Sequence, residues 1–220
     1  MKYRSAFDII GPVMIGPSSS HTAGAARIGR VARTLFEKQP KKALISLYGS
    51  FAKTYKGHGT DLALVAGLLD FDTFDERIPN SLEIAKQLGM EVIFQEETAV
   101  PEHPNTVKIN LFDEYDHELE LIGISIGGGS IEITELNSFK LKLSGERAIL
   151  VLHNDRFGII SSVTSVLSKH KINIGHMEVS RKEKGNTALM VIEVDEKIED
   201  HVIEEITGLE NVTRVIRMVN

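Results

Sequence analysis

The stretch Arg147-Ala148-Ile149-Leu150-Val151-Leu152-His153-Asn154-Asp155-Arg156-Phe157-Gly158 decides the fold of the C-terminal part of this chain. Its first six residues are an almost unbroken apolar run and read as a strand. A polar loop follows, and after Gly158 the residues Ile159, Val163, Val166 and Leu167 recur on one helical face. Two further strands, Gly175–Arg181 and Thr187–Val194, flank the turn Glu183-Lys184-Gly185-Asn186. A helix near Asp200–Ile206 and a strand near Thr213–Met218 complete the order β-α-β-β-α-β, which is the ferredoxin-like unit. That fold names no function by itself. Its first loop does have ligand-binding chemistry. Gly158 leaves backbone donors open to a carboxylate, Asp155 can receive an ammonium group, and His153 stands beside them. Asn173, in Lys171-Ile172-Asn173-Ile174, can add an amide from a neighbouring copy. Ordinary capping and turn chemistry explains the same residues and is the simpler reading.

Toward the N-terminus, Lys142-Leu143-Ser144-Gly145-Glu146 is a short polar junction, which predicts domains at 1–144 and 145–220. The first block predicts an α+β domain. Ala43–Tyr48 reads as a strand, followed by a glycine-punctuated loop and a helix from about Asp61 to Leu69. Asn80-Ser81-Leu82-Glu83 signals a second helix that stops at Gly89. Val92–Phe94, Thr106–Leu111 and Leu119–Ser125 alternate as strands, the last two around a hairpin turn at Asp113–Asp116.

The chemistry of the first block concentrates in two motifs. Gly16-Pro17-Ser18-Ser19-Ser20-His21-Thr22 precedes a helix with an apolar stripe of Ile28, Val31, Ala32 and Leu35. The predicted first turn, Ala23-Gly24-Ala25-Ala26, has little to shield its unpaired N–H groups, and such a helix end attracts anions. The hydroxyls add donors for a carboxylate, and His21 can move a proton near neutral pH. A single serine cap would explain one hydroxyl, whereas five consecutive positions here are polar. The second motif is Tyr48-Gly49-Ser50-Phe51-Ala52-Lys53-Thr54-Tyr55-Lys56-Gly57-His58-Gly59-Thr60-Asp61. His58 lies between glycines that permit close ligand approach, and Thr60 or Asp61 is the expected cap of the next helix. A surface loop carrying a histidine is the plainer alternative.

Two other features read as structural. Gly127-Gly128-Gly129 lacks the spacing of a phosphate loop and reads as a tight turn. Arg27, Arg30 and Arg33 repeat along the first helix as a solvated face, or as a surface for an acidic partner.

Composition narrows the class. The chain has 220 residues, 42% hydrophobic and 25% charged, as expected of a soluble globular protein. A net charge of −6 argues against general nucleic-acid affinity. No apolar run has the length of a membrane span, and Met1-Lys2-Tyr3-Arg4 is followed by Asp8, Gly11 and Pro12 rather than a leader core, which predicts a cytoplasmic protein. Cysteine is absent, so the chain makes no disulfide and cannot ligate an iron–sulfur cluster through thiolates.

Taken together, the two motifs resemble the signatures of the β chain of two-chain iron–sulfur L-serine dehydratases, and the resemblance covers essentially the whole chain. The second block resembles an ACT domain, a module that commonly senses amino acids. The first is similar to the extra substrate-binding-like domain of some phosphoglycerate dehydrogenases. The resemblance implies deamination of L-serine to pyruvate and ammonia without pyridoxal phosphate. It implies a [4Fe–4S] cluster on cysteines of a partner α chain and no metal ligand in this one. His21 and His58 are then the catalytic candidates, without an assignment between them. Ser18, Ser19, Ser20, Thr22, Gly57 and Thr60 are the substrate-binding candidates, and His153, Asp155, Gly158 and Asn173 the regulatory ones. Homodimerisation through the ACT sheet edge or the first block is a further expectation. ACT domains often have proline where Phe157 stands, which bears on sensing. The rival reading is a non-catalytic sensing subunit. A stand-alone hydrolase is a poor third, because no nucleophile-elbow pattern surrounds Ser20 and His21.

Overall fold

In the computed structural model, which describes residues 12–218, the chain forms two compact units, Met1–Asn137 and Ser138–Asn220. The N-terminal residues read above for leader character lie outside the described ones, apart from Pro12.

The first unit is built on a mixed sheet. A single π-helical turn, Ser19–Ala23, runs directly into α1 (Gly24–Phe36). Then come β1 (Lys42–Leu47), α2 (Gly49–His58), α3 (Thr60–Leu68), a 3-10 turn at Ile78–Asn80 and α4 (Ser81–Gln87). The strands β2 (Glu91–Glu96), β3 (Thr106–Phe112), β4 (Glu118–Gly127) and β5 (Ser130–Leu136) follow. Their order in the sheet is β2-β1-β3-β4-β5. β1 and β2 are parallel because a helical crossover joins them, and the other pairs are antiparallel.

Alternation along β4 buries Leu119, Leu121, Gly123 and Ser125 on one side. α1 packs there, with Ile28 against Gly123 and Gly24 against the Ser125 hydroxyl. α3 crosses α1 at glycines. A Cβ on Gly67 would stand 2.1 Å from the Ala26 carbonyl oxygen, and one on Gly29 would stand 2.3 Å from that of Leu64. Ile28, Leu35, Leu64, Leu68, Ile45 and Ile109 are fully buried around this crossing, each worth roughly 1.5–3 kcal/mol of transfer free energy.

The structure corrects five expectations in this unit. Residues 49–58 form a helix, not a loop, because the glycines lie at its ends while Phe51, Ala52 and Tyr55 share one side. The N-terminal helical segment starts a turn earlier than predicted, at Ser19, with Ser18 as its cap. The Ala23–Ala26 turn is therefore buried helix interior and no anion site. Gly59, in the left-handed conformation at φ +65°, occupies the cap position of α3 in place of Thr60 or Asp61. The strand β5, which the sequence reading did not contain, pairs with β4 across Gly127–Gly129, whose positive φ values make the turn. The arginine face is not simply solvated either. Arg30 pairs with Asp70 and Asp72, and Arg27 donates to the Gly129 carbonyl at 2.9 Å.

The second unit contains β6 (Phe139–Leu143), β7 (Ala148–Asn154), α5 (Ile159–Lys169), β8 (Ile174–Arg181), β9 (Thr187–Val194), α6 (Asp200–Thr207) and β10 (Val212–Met218). Its antiparallel sheet has the order β10-β7-β9-β8. Ile149, Val151, Met190 and Ile192 pack against Val163 and Leu167 of α5 and Val202 and Ile206 of α6. This is the β-α-β-β-α-β arrangement read from the sequence, with the elements within a residue or two of their expected positions. β6 is anchored to it, its Lys142 N–H donating to Glu178 at 2.9 Å.

Candidate functional site

The site begins with two chain corners that the α1–α3 crossing holds side by side. At the first, the Ser18 hydroxyl accepts the N–H of His21 at 3.1 Å and caps the π-helical turn. The wider turn places Ser19, Ser20 and His21, all half-buried, at the start of the helix. Thr22 points inward: its hydroxyl donates to the His58 carbonyl at 3.1 Å, and its side chain fills the space over Gly16. It therefore ties the two corners together.

The second corner joins α2 to α3. Gly57 has open space where a side chain would be, and Gly59 makes the left-handed turn. Between them His58 lies with its ring 4.8 Å from that of His21. Lys56 bridges to Asp61 at 2.9 Å, closing the corner, and stands over the rings of Tyr55 and Phe94. Asp61 also accepts the Leu62 N–H at 2.9 Å.

Two residues outside the sequence-based site complete the wall. Ser50 Oγ is 2.9 Å from His21 Nε2, and the buried Phe51 meets the His21 ring edge-on at 5.3 Å. Both lie within the quoted second motif. Only recognition of 49–58 as a helix would have singled them out, since it turns their side chains toward His21.

Burial, followed by repulsion from the His58 imidazole, lowers the pKa of His21 from its ordinary value and so favours its neutral form. Among the described residues, His58 Nδ1, Thr60 Oγ1 and Ser125 Oγ are buried without a hydrogen-bond partner. Such orphaned groups are rare in folded proteins, and functional sites are one place where they persist. Thr60 is fully buried. The arrangement thus offers a neutral imidazole, a second imidazole with an unsatisfied nitrogen, and serine hydroxyls at a helix start.

In the second unit two of the regulatory candidates, Asp155 and Asn173, are bonded to neighbouring segments of the same unit. Asp155 Oδ2 accepts the Gly185 N–H at 2.9 Å and an Arg181 N–H at 3.1 Å, and these bonds lower its pKa. The Asn173 amide donates to Asp195, and its backbone N–H donates to Glu196, each at 2.6 Å. His153 is buried, with Nδ1 at 3.0 Å from the Asn154 carbonyl and Nε2 unpartnered. Gly158 takes φ +90° at the start of α5, and the adjacent Phe157 is fully exposed.

Sequence comparisons agree with this division. The family model described as Serine dehydratase beta chain matches residues 5–86, and the one described as ACT domain matches residues 147–211. The chain is 63% identical to the probable L-serine dehydratase, beta chain, of Bacillus subtilis (strain 168), over 100% of both chains. It is 39% identical to the L-serine dehydratase, beta chain, of Peptoniphilus asaccharolyticus, over 95% of each. A more distant similarity, 26% identity over 93% of this chain, is to 37% of the D-3-phosphoglycerate dehydrogenase of Synechocystis sp. (strain ATCC 27184 / PCC 6803 / Kazusa). With two such full-length relatives and both family models placed on the units seen here, the chain belongs to the L-serine dehydratase β-chain family with a C-terminal ACT domain.

Proposed function

We propose that this chain forms one wall of an L-serine-deaminating site, with an α chain supplying the other. The observation that carries the reading is the pairing of His21 and His58, brought to 4.8 Å at a serine-lined helix start. Conversion of L-serine to pyruvate and ammonia requires removal of the Cα proton and departure of the β-hydroxyl as water. Water then hydrolyses the resulting enamine/imine. The Cα proton is weakly acidic, so a positioned base is needed. His58 suits that part, because its Nδ1 has no hydrogen-bond partner within the chain. His21, neutral and bonded to Ser50, orients the substrate or carries the second proton. Ser18, Ser19 and Ser20 provide donors for the substrate carboxylate.

The residues present do not fit an iron–sulfur cluster. The sequence has no cysteine, and the described residues include no group of three or more His, Cys, Asp or Glu able to hold a metal. In this reading the [4Fe–4S] ligands belong to the α chain.

The rival reading, a subunit that only senses amino acids, has less support. Asp155 and Asn173 are already bonded within the unit, while the histidine pair has no use in a pure sensor. The test is anaerobic pyruvate formation from L-serine by this chain, by its cysteine-bearing partner and by the mixture. Activity confined to the mixture, and lost in His21→Ala and His58→Ala chains that still associate, is expected. Activity of the partner alone that this chain leaves unchanged would make it a regulatory or assembly subunit.

A further inference from the structure

We infer that Ser50 is a positioning residue that donates its hydroxyl hydrogen to His21 Nε2 and thereby holds the His21 ring as its Nδ1–H tautomer. The inference rests on the proposed function for its catalytic meaning, but its structural content is independent. Ser50 is pinned on both sides of its backbone. Its N–H donates to the Pro104 carbonyl at 2.7 Å, and its own carbonyl accepts the Thr54 hydroxyl at 2.7 Å. The one polar group left to it is the hydroxyl, 2.9 Å from His21 Nε2. The preceding Gly49 takes φ +56° against Pro104, so the start of α2 is fixed in the one place that brings this hydroxyl to the imidazole.

The direction of the bond follows from the field. Ser50 is in the first turn of α2, where the positive end of the helix dipole makes a hydroxyl a better donor. A neutral imidazole has one bare nitrogen, and the bond from Ser50 places it at Nε2. The proton then remains on Nδ1. Phe51, edge-on to the ring, limits its remaining freedom. With Nε2 occupied, His21 presents one donor in one orientation, and the hydrogen bond to Ser50 has to be broken before His21 can accept a proton there.

Nitrogen-15 spectra of the full-length chain with labelled histidine test this directly at a pH where His21 is neutral. The Nδ1–H tautomer is expected in the wild type and in Ser50→Thr, and its loss or averaging in Ser50→Ala. In the complex with the α chain, Ser50→Ala is expected to lower kcat about tenfold, the equivalent of one hydrogen bond, with little change in KM and recovery in Ser50→Thr. An Nε2–H tautomer in the wild type, or a tautomer unmoved in Ser50→Ala, overturns the inference. His58→Ala, assayed in parallel, separates the two levels. If His58→Ala is inactive while Ser50→Ala leaves tautomer and kcat unchanged, only the assignment of Ser50 fails. If His21→Ala and His58→Ala both stay active, the proposed function fails instead.

Discussion

Replacing Gly67 with alanine tests the packing that brings the two histidines together. In an isolated helix this change is favourable by about 1 kcal/mol, because alanine has the higher helix propensity. Here the new Cβ would stand 2.1 Å from the Ala26 carbonyl oxygen, 2.6 Å from the Arg30 nitrogen and 2.8 Å from the Gly29 carbonyl carbon. All three are backbone atoms of α1, so no side chain can swing aside. Restoring an ordinary contact of about 3.4 Å moves the helices apart by about 1.3 Å. Overpacking of this kind costs about 1–3 kcal/mol, and obstruction by backbone puts it at the upper end. After the propensity gain, a net loss of about 2 kcal/mol remains, which for a unit of this size lowers the melting temperature by about 5–10 °C. Thermal and urea unfolding followed by circular dichroism measures it. Gly57→Ala is the matched control, since nothing lies within 4 Å of its added Cβ in α2 and about 1 kcal/mol of stabilisation is expected. A Gly67→Ala chain as stable as the wild type would refute the close-crossing argument.

Two electrostatic predictions complement it. Removing the second imidazole in His58→Ala relieves repulsion on His21, so its pKa rises, but only part of the way to 6.5 because burial is the larger cause. An NMR pH titration of His21 checks this, and an unchanged or lower midpoint contradicts it. Asp113 is buried and accepts hydrogen bonds from Lys38, the His117 ring and the backbone N–H groups of Tyr115 and His117. These bonds hold its carboxyl well below the usual range in the folded chain. Its contribution to stability is therefore full above the unfolded carboxylate pKa, about 3.9, and fades as pH falls toward the depressed folded value. Asp113→Asn should be less stable than the wild type at pH 7, and the gap should narrow in acid unfolding curves. A gap that is constant with pH would mean that packing and not charge is responsible.

Legibility in the sequence differed sharply between the two units. In the second, each element carries its own local signal. Thr187–Val194 was read to the residue, and Gly158 opens α5 as its place before Ile159 suggested. In the first, the signals conflict. Glycines at 49, 57 and 59 suggest a loop, yet they terminate a helix whose middle is Phe51, Ala52 and Tyr55. Local propensity is a weak guide where an external group sets the helix start, and here the Pro104 carbonyl does so. The run of small residues at 23–26 resembled an exposed anion cradle. It is buried because Gly24 lies against Ser125 of β4, a contact between residues distant in sequence.

The ferredoxin-like unit, the lack of cysteine ligands and the residue types at the two motifs are all legible in local sequence. Alternation, helical periodicity and composition are local properties that survive without a partner segment. The approach of His21 to His58 and to Ser50 comes instead from long-range packing. The same packing lets Thr22 brace the two corners. Each of these depends on where α1, α2 and α3 meet, and that meeting is fixed by backbone contacts at Gly29, Gly67 and Pro104 that no local pattern encodes.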